Sequence, residues 1–500
     1  LPAMARTDTQ DTAETPLPWG QLGPLMAVRL AEPINFALIL PFLYNMVAGF
    51  EEVKSPADVA FYAGVLFASF SVAQAITTVY WGPLSDRIGR RPTLLMGLAG
   101  DLATFVLFGL SRSFKWALVT RTLNGFFAGN GAVAKSAVSE IADDTNRPRM
   151  MALVPFVWNV GMMAGAALGG LLADPAAQYP GVFGGIELFR TFPYLLPCMA
   201  GSVTTLVGLV AGLLWLKETL VVRRPAAAEE GAPESECSPL VARAQQPPAA
   251  AVWTAEGRRV LAIAWLLALS TAIGDQVYPI FAAADPAQGG LGFAPRSIGA
   301  SLMVGGVAVV YLQLATYPRL ARKLGALRCF QLGVLVHAPY YFCTPFLALL
   351  AAHFGRALDG GGGGGLGVAS LEAPASWLSR AGAEYCLLWA LLVALLLLRI
   401  VGNVFAFTSM NLMVSNIAPS RDMLGTVNSV QQLGSVTARI VGPLISGSLW
   451  GWSVRSGLPY PLNSHLVWVI CGSLLLASWR VAARLPPSVN VFAAGDRAAA

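Results

Sequence analysis

Trp81-Gly82-Pro83-Leu84-Ser85-Asp86-Arg87-Ile88-Gly89-Arg90-Arg91-Pro92 decides the fold. It packs three arginines and a single acid between two runs, 58–82 and 92–111, that are almost free of charge. Each run is long enough as a helix to cross about 30 Å of hydrocarbon. The twelve residues therefore read as a short polar connection between two membrane-crossing helices, on the side where arginines stay during insertion.

Working outward, the rest of the chain repeats that reading. Its 500 residues are 55% apolar and 12% charged, about half the charge a soluble chain needs to wet its surface, and this excludes a soluble multidomain enzyme. Twelve candidate spans fall near 22–47, 58–82, 92–111, 116–140, 150–173 and 191–216, then 259–283, 296–317, 326–350, 385–412, 424–450 and 464–484. The runs are continuous rather than alternating, so a membrane barrel does not fit. The expected class is an all-α membrane protein, with span 1 serving as an uncleaved insertion signal. The six cysteines and three histidines have no metal-ligand spacing, so no metal and no cofactor is expected.

Basic residues gather on alternate connections. Arg147 and Arg149 lie between spans 4 and 5. Arg319, Arg322, Lys323 and Arg328 flank the 8–9 connection, and Arg484 and Arg497 follow span 12. Both termini are therefore expected in the cytoplasm, and the net charge of +6 is a topology signal rather than a nucleic-acid surface. Residues 1–21 and 485–500 read as cytoplasmic tails, 22–216 and 259–484 as two six-helix halves. Between the halves, 217–258 is rich in Ala, Pro and Glu and reads as a disordered cytoplasmic linker; Ser238-Pro239 there is a candidate phosphorylation site. A glycine-rich loop, 351–383, falls on the opposite face.

The halves carry an internal repeat. Gly89 after span 2 corresponds to Gly325 after span 8; Gly161, Gly165 and Gly169 of span 5 correspond to Gly434, Ala438 and Gly442 of span 11; RTLNG from Arg121 corresponds to RIVGN from Arg399. Repeat-built bundles hold their substrate near midplane between halves that rock against each other.

The 81–92 stretch resembles the loop signature of the major facilitator superfamily. The resemblance implies a latch of Gly82, Asp86, Arg87, Gly89, Arg90 and Arg91 that holds the outward-open state by tying span 2 to span 11. Gly82 is expected to admit a neighbouring helix, and Gly89 to make the turn. Arg322 replaces the aspartate in the second-half copy. Arg121-x-x-x-Gly125-x-x-x-Gly129 is similar to the family's proton-coupling arginine motif. The span-5 glycines are similar to the antiporter motif, with Ala166 in place of its proline; with Gly442 and Pro443 they are expected to serve as a hinge or close-packing surface. The runs Arg29-Leu30-Ala31-Glu32-Pro33-Ile34 and Arg439-Ile440-Val441-Gly442-Pro443 look like those of the fungal and plant zinc-induced facilitator-like group, although the plant cysteine motif is missing.

Ionisable groups at membrane depth are costly and mark function. The sequence offers Arg29 and Glu32 (span 1), Asp101 (span 3), Arg121 and Lys135 (span 4), Asp275 (span 7), His337 (span 9), Arg399 (span 10) and Arg439 (span 11). The family fold lines its cavity with spans 1, 4, 7 and 10, which selects Glu32, Arg121, Asp275 and Arg399. Glu32 or Asp275 is expected to carry the proton, with Asn35, Gln276 and Tyr278 giving hydrogen bonds to substrate, and Asp101 outside the cavity. Pro33, Pro41 and Pro279 are expected to interrupt spans 1 and 7. The function that follows is a monomeric secondary transporter in the vacuolar or plasma membrane, moving a small organic solute, with proton antiport as the coupling the resemblance implies. The other reading is a non-transporting sensor on the same fold, which calls for a folded cytoplasmic domain. A membrane-embedded enzyme would want a dense polar cluster.

Overall fold

The computed structural model describes residues 15–142, 146–220, 253–304, 309, 311–358, 380–418, 424–459 and 462–490. Ser238-Pro239, most of the 217–258 linker and the glycine run at 360–365 lie outside the described residues. Helices account for nearly all the ordered backbone, and no strand occurs among the described residues.

The twelve spans are present as two sets of six. Six helices are long and apolar enough, by length and composition alone, to cross a bilayer; they supply spans 2, 3, 6, 7, 9 and 10. The other six are broken, shorter or more polar. Span 1 comprises Trp19–Leu38 and Leu43–Ala48, and span 4 comprises Phe114–Phe127 and Asn130–Ile141. Span 5 is Arg147–Leu172, span 11 Leu424–Ser456 and span 12 Leu466–Ala482. Span 8 begins as Pro295–Met303, and helix is again described from 311 through Tyr317 to a kink at Gly325, so it ends later than the sequence suggested. Of the three prolines expected to interrupt helices, only Pro41 does so. Pro24 and Pro33 sit inside the continuous Trp19–Leu38 helix, and Pro279 inside Ala255–Ala283. Neighbouring helices shield the backbone groups such prolines free, so the helix need not stop.

Within each half, small residues let helices touch backbone to backbone. A Cβ at Gly161 would strike the Pro33 ring, and at Gly165 and Gly169 the carbonyls of Ile34 and Leu38, so span 5 lies directly on span 1. The second half repeats this: Gly434 abuts Trp265, and Gly442 abuts Ala272 and Ile273 of span 7. In lipid, where apolar burial gives little drive, this close van der Waals contact is what holds helices together. The second half adds an aromatic core, with Phe281 set edge-on to Trp450 and Trp468 at 6.3 and 5.2 Å. On the outside of span 6, Val203, Val207 and Leu214 are exposed, as a lipid-facing surface requires.

The halves meet at the end opposite the basic connections. There Gly64 abuts the Pro443 carbonyl, Gly447 the Ala60 carbonyl and Gly451 the Ala57 carbonyl, forming a seam between spans 2 and 11. Arg455 closes the seam with an ion pair to Asp58. A second seam joins spans 5 and 8, where Gly170 meets Gly299 and the Pro295 carbonyl. A polar contact also joins the halves, Asn159 Nδ2 donating to Gln313 Oε1 at 3.4 Å, roughly halfway along span 5.

Candidate functional site

At the basic end, span 2 is helical from Pro56 to Ile88, and the chain turns at Gly89 with φ of +107°. That backbone region is open to glycine and strained for other residues. Arg90 opens the next helix, whose first N–H groups lack intrahelical partners. Those of Arg90 and Arg91 donate to the Glu218 carboxylate at 2.8 and 3.1 Å. Asp86 pairs with Arg90 at 2.5 Å, and Arg90 also pairs with Glu140 at the end of span 4, at 2.9 Å. The Thr219 hydroxyl donates to the other Glu140 oxygen at 2.6 Å, and Arg91 donates to the Leu213 carbonyl at 2.6 Å. Arg90 is thus the hub, and the segment after span 6 is its clamp. Although partial burial opposes its charge, backbone N–H groups of Leu220, Arg90, Arg91 and Thr219 hold the Glu218 carboxyl below its usual range. Lys217–Leu220, the first four residues of the expected linker, are therefore folded onto this loop.

One expectation for the loop needs correction. A Cβ at Gly82 would meet nothing within 4 Å, so no helix approaches there; the close approach is one residue earlier, where Trp81 covers Gly129 and donates to the Phe126 carbonyl at 2.9 Å. Asp86 pairs with Arg90 of its own connection, and span 2 meets span 11 at the opposite end. Arg87 is exposed. The second-half copy keeps the geometry with other chemistry. Gly325 turns with φ of +77°, and Asn490, after span 12, accepts the Leu327 N–H at 2.9 Å. Arg322 turns back to the Pro318 carbonyl at 3.2 Å.

Between the helices of the first half lies a crevice lined by Arg29, Glu32, Asn35, Phe70, Asp101 and Asn124, among others. Glu32 is satisfied twice: Arg29 pairs with one oxygen at 2.7 Å, and Gln74 of span 2 donates to the other at 2.9 Å. Gln74 also takes the Ala128 carbonyl at 2.8 Å, one of the groups freed where span 4 breaks. Arg29 lies over the Trp158 ring at 5.1 Å. Gln74 and Trp158 carried no sequence signal, being uncharged residues in apolar runs.

Below this pair, Asp101 is buried at the junction of four spans. It accepts hydrogen bonds from Asn35 (2.6 Å), Asn124 (2.6 Å) and Thr205 (3.1 Å). Asn124 in turn accepts from Arg121 at 2.8 Å, and Arg121 lies over the Phe70 ring at 4.3 Å. The sequence placed Asp101 outside the cavity; it lines the crevice and is the centre of its polar network. Arg121, 1% exposed, sits behind Asn124 instead of facing the crevice.

In the second half, Arg399 pairs with the half-exposed Asp275 and lies over Tyr340 at 5.3 Å. Tyr278 does not join them. It is fully buried, and its hydroxyl donates to Ser301 at 2.6 Å, which removes it from substrate contact. Gln276 is buried as well. His337 packs on Tyr341 at 4.9 Å. The spacing of 236 that relates Gly89 to Gly325 also relates Asp101 to His337, so the two halves bury a titratable group at corresponding positions near the span-4 and span-10 arginines.

Two repeated six-helix halves, seamed at one end and lined with arginine–carboxylate pairs, define a membrane carrier. The Major Facilitator Superfamily model matches residues 25–373, and the chain belongs to that family, whose members are carriers and not enzymes. It is similar to the major facilitator superfamily multidrug transporter mfsB of Aspergillus fumigatus, at 29% identity over 91% of this chain and 81% of that protein. It is also similar to Protein ZINC INDUCED FACILITATOR 1 of Arabidopsis thaliana, at 27% identity over 92% and 90%. Among solved structures, a D-xylose-proton symporter superposes with a TM-score of 0.66 at 13% identity, covering 94% of this chain and 98% of that one; that likeness concerns the fold.

Proposed function

We propose that the chain is a proton-coupled antiporter that moves a small organic solute by alternating access. It works as a monomer in the vacuolar or plasma membrane, with both termini and the 217–258 linker on the cytoplasmic side. The observation that carries this reading is the pair of seams at the far end. With spans 2 and 11, and 5 and 8, in backbone contact there, any path between the halves opens toward the basic end. This is the inward-facing state of a rocking carrier.

Proton coupling rests on the two arginine-held carboxylates. Protonating Glu32 or Asp275 removes the charge that holds Arg29 or Arg399. Protonation therefore releases the arginine, so the proton changes which contacts that half offers in each state. Asp86, Arg90, Glu140 and Glu218 stabilise the basic end, and the span-5 glycines with Gly442 and Pro443 are the surfaces on which the spans pivot.

Proteoliposome exchange across a solute panel, with and without a pH gradient, tests the proposal. E32Q and D275N are expected to lose gradient-driven transport while keeping solute exchange. Undiminished gradient-driven transport in both variants contradicts the coupling assignment.

A further inference from the structure

The cations between the halves outnumber their partners. Arg29 and Glu32 neutralise each other. Gly131 of span 4 lies against this pair, with its Cβ position 3.6 Å from Glu32 and 3.7 Å from Arg29. Lys135 follows one helical turn later on the same face. From the other half, Arg439 of span 11 falls within Coulombic reach of Glu32, Arg29 and Lys135. Among the described residues, no hydrogen bond or ion pair holds Lys135 or Arg439. Arg29 is 7% exposed and lines the crevice, and its Nε has no partner. Four charged side chains thus sum to about +2 at membrane depth, where unpaired charge is costly. The excess is shared between halves, one cation on span 4 and one on span 11.

We infer that Lys135 and Arg439, with the Nε of Arg29, form the binding site for an anionic group of the transported solute, a carboxylate or phosphate that bridges the two halves. This rests on the carrier reading and narrows it to organic anions. Such a group cancels the repulsion that keeps Lys135 and Arg439 apart and accepts charge-assisted hydrogen bonds from both. It therefore binds more strongly when the basic ends draw together than when they are parted. That differential affinity is what a substrate needs to shift a carrier toward its other state. The Asp275–Arg399 pair is already neutral and contributes no excess charge.

The test reads binding without transport, so that the two readings fail separately. The full chain, purified in nanodiscs at fixed ionic strength, is titrated with phenyl phosphate, benzoate, benzamide and benzylamine, and thermal stabilisation gives Kd. Phenyl phosphate and benzoate are expected to stabilise it, and benzamide and benzylamine to do so at least tenfold more weakly. K135Q and R439Q should each weaken phenyl phosphate binding at least tenfold, and K135R and R439K should restore most of it; the lysine and arginine exchanges serve where a glutamine variant does not fold. Stabilisation by benzylamine over phenyl phosphate overturns the site, as does indifference to all the anions or wild-type affinity in K135Q and R439Q. Anion binding without flux in liposomes would retain the site and refute the carrier reading alone.

Discussion

Asn124 cannot turn its amide over. Its oxygen faces the Arg121 guanidinium and its nitrogen faces Asp101, so a flip would set donor against donor on one side and acceptor against acceptor on the other. Asp101 must therefore present an acceptor. D101N places a second amide where Asn35, Asn124 and Thr205 all donate, leaving at least one buried donor unmatched. The expected cost is about 1–3 kcal/mol, read as a lower melting temperature in detergent, whereas D101E should lose less. Equal stability of D101N and wild type would sink the hub assignment. At this scale the sequence named the right charges but misjudged their company. An acid on span 3 looked peripheral because charge and span number do not show which way a helix is turned; the partners Asn35, Asn124 and Thr205 are uncharged and stand out in no composition. One clue was available: the spacing of 236 pairs Asp101 with His337.

Spans 2 and 11 form a zipper whose teeth are Gly64, Ala60 and Ala57 on one side and Pro443, Gly447 and Gly451 on the other. Asp58–Arg455 fastens its mouth, with about half of the Arg455 side chain still exposed. An ion pair so exposed contributes about 0.2–1 kcal/mol, enough to shift a two-state equilibrium by a factor of about 1.4 to 5. D58N is accordingly expected to raise the labelling rate of a cysteine placed at Ala60, in a background lacking exposed Cys343 and Cys386, by about that factor. No change in rate would mean that the glycine seam alone keeps this end shut. Element existence was legible from apolar length, and Gly442 and Pro443 were visible as a small-residue run. Which surface Pro443 meets was not, because a glycine or proline in a sequence does not name the helix that approaches it.

Across the whole molecule, the two halves end alike. The residue after span 6 that caps the 2–3 loop is Glu218, and the one after span 12 that caps the 8–9 loop is Asn490. Only the first is ionisable, so the halves should respond differently to acid. The Glu218 carboxyl titrates below its ordinary 4.5. Its stabilisation is therefore complete above that value and is lost as pH falls from 4.5 through the depressed pKa. E218Q should lower the melting temperature at neutral pH, with the gap to wild type closing in acid; a gap that stays constant down to pH 3 would exclude the carboxylate as the cause. N490A should lower stability by the same amount at every pH.

Membrane insertion, two repeated halves and the family of the 81–92 loop were determined by the sequence itself. Those properties follow from local quantities: apolar length against bilayer thickness, arginine placement, and glycine where φ is positive. Tertiary structure alone decided that the loop is clamped by Glu140 and Glu218, that Asp101 holds four spans, and that Arg439 comes within Coulombic reach of Lys135 from the other half. Each of these joins residues far apart in the chain, and their meeting depends on how helices rotate and where the two halves close. Hydropathy is nearly blind to rotation in a helix bounded by lipid on one side and apolar neighbours on the other, so only packing could fix it.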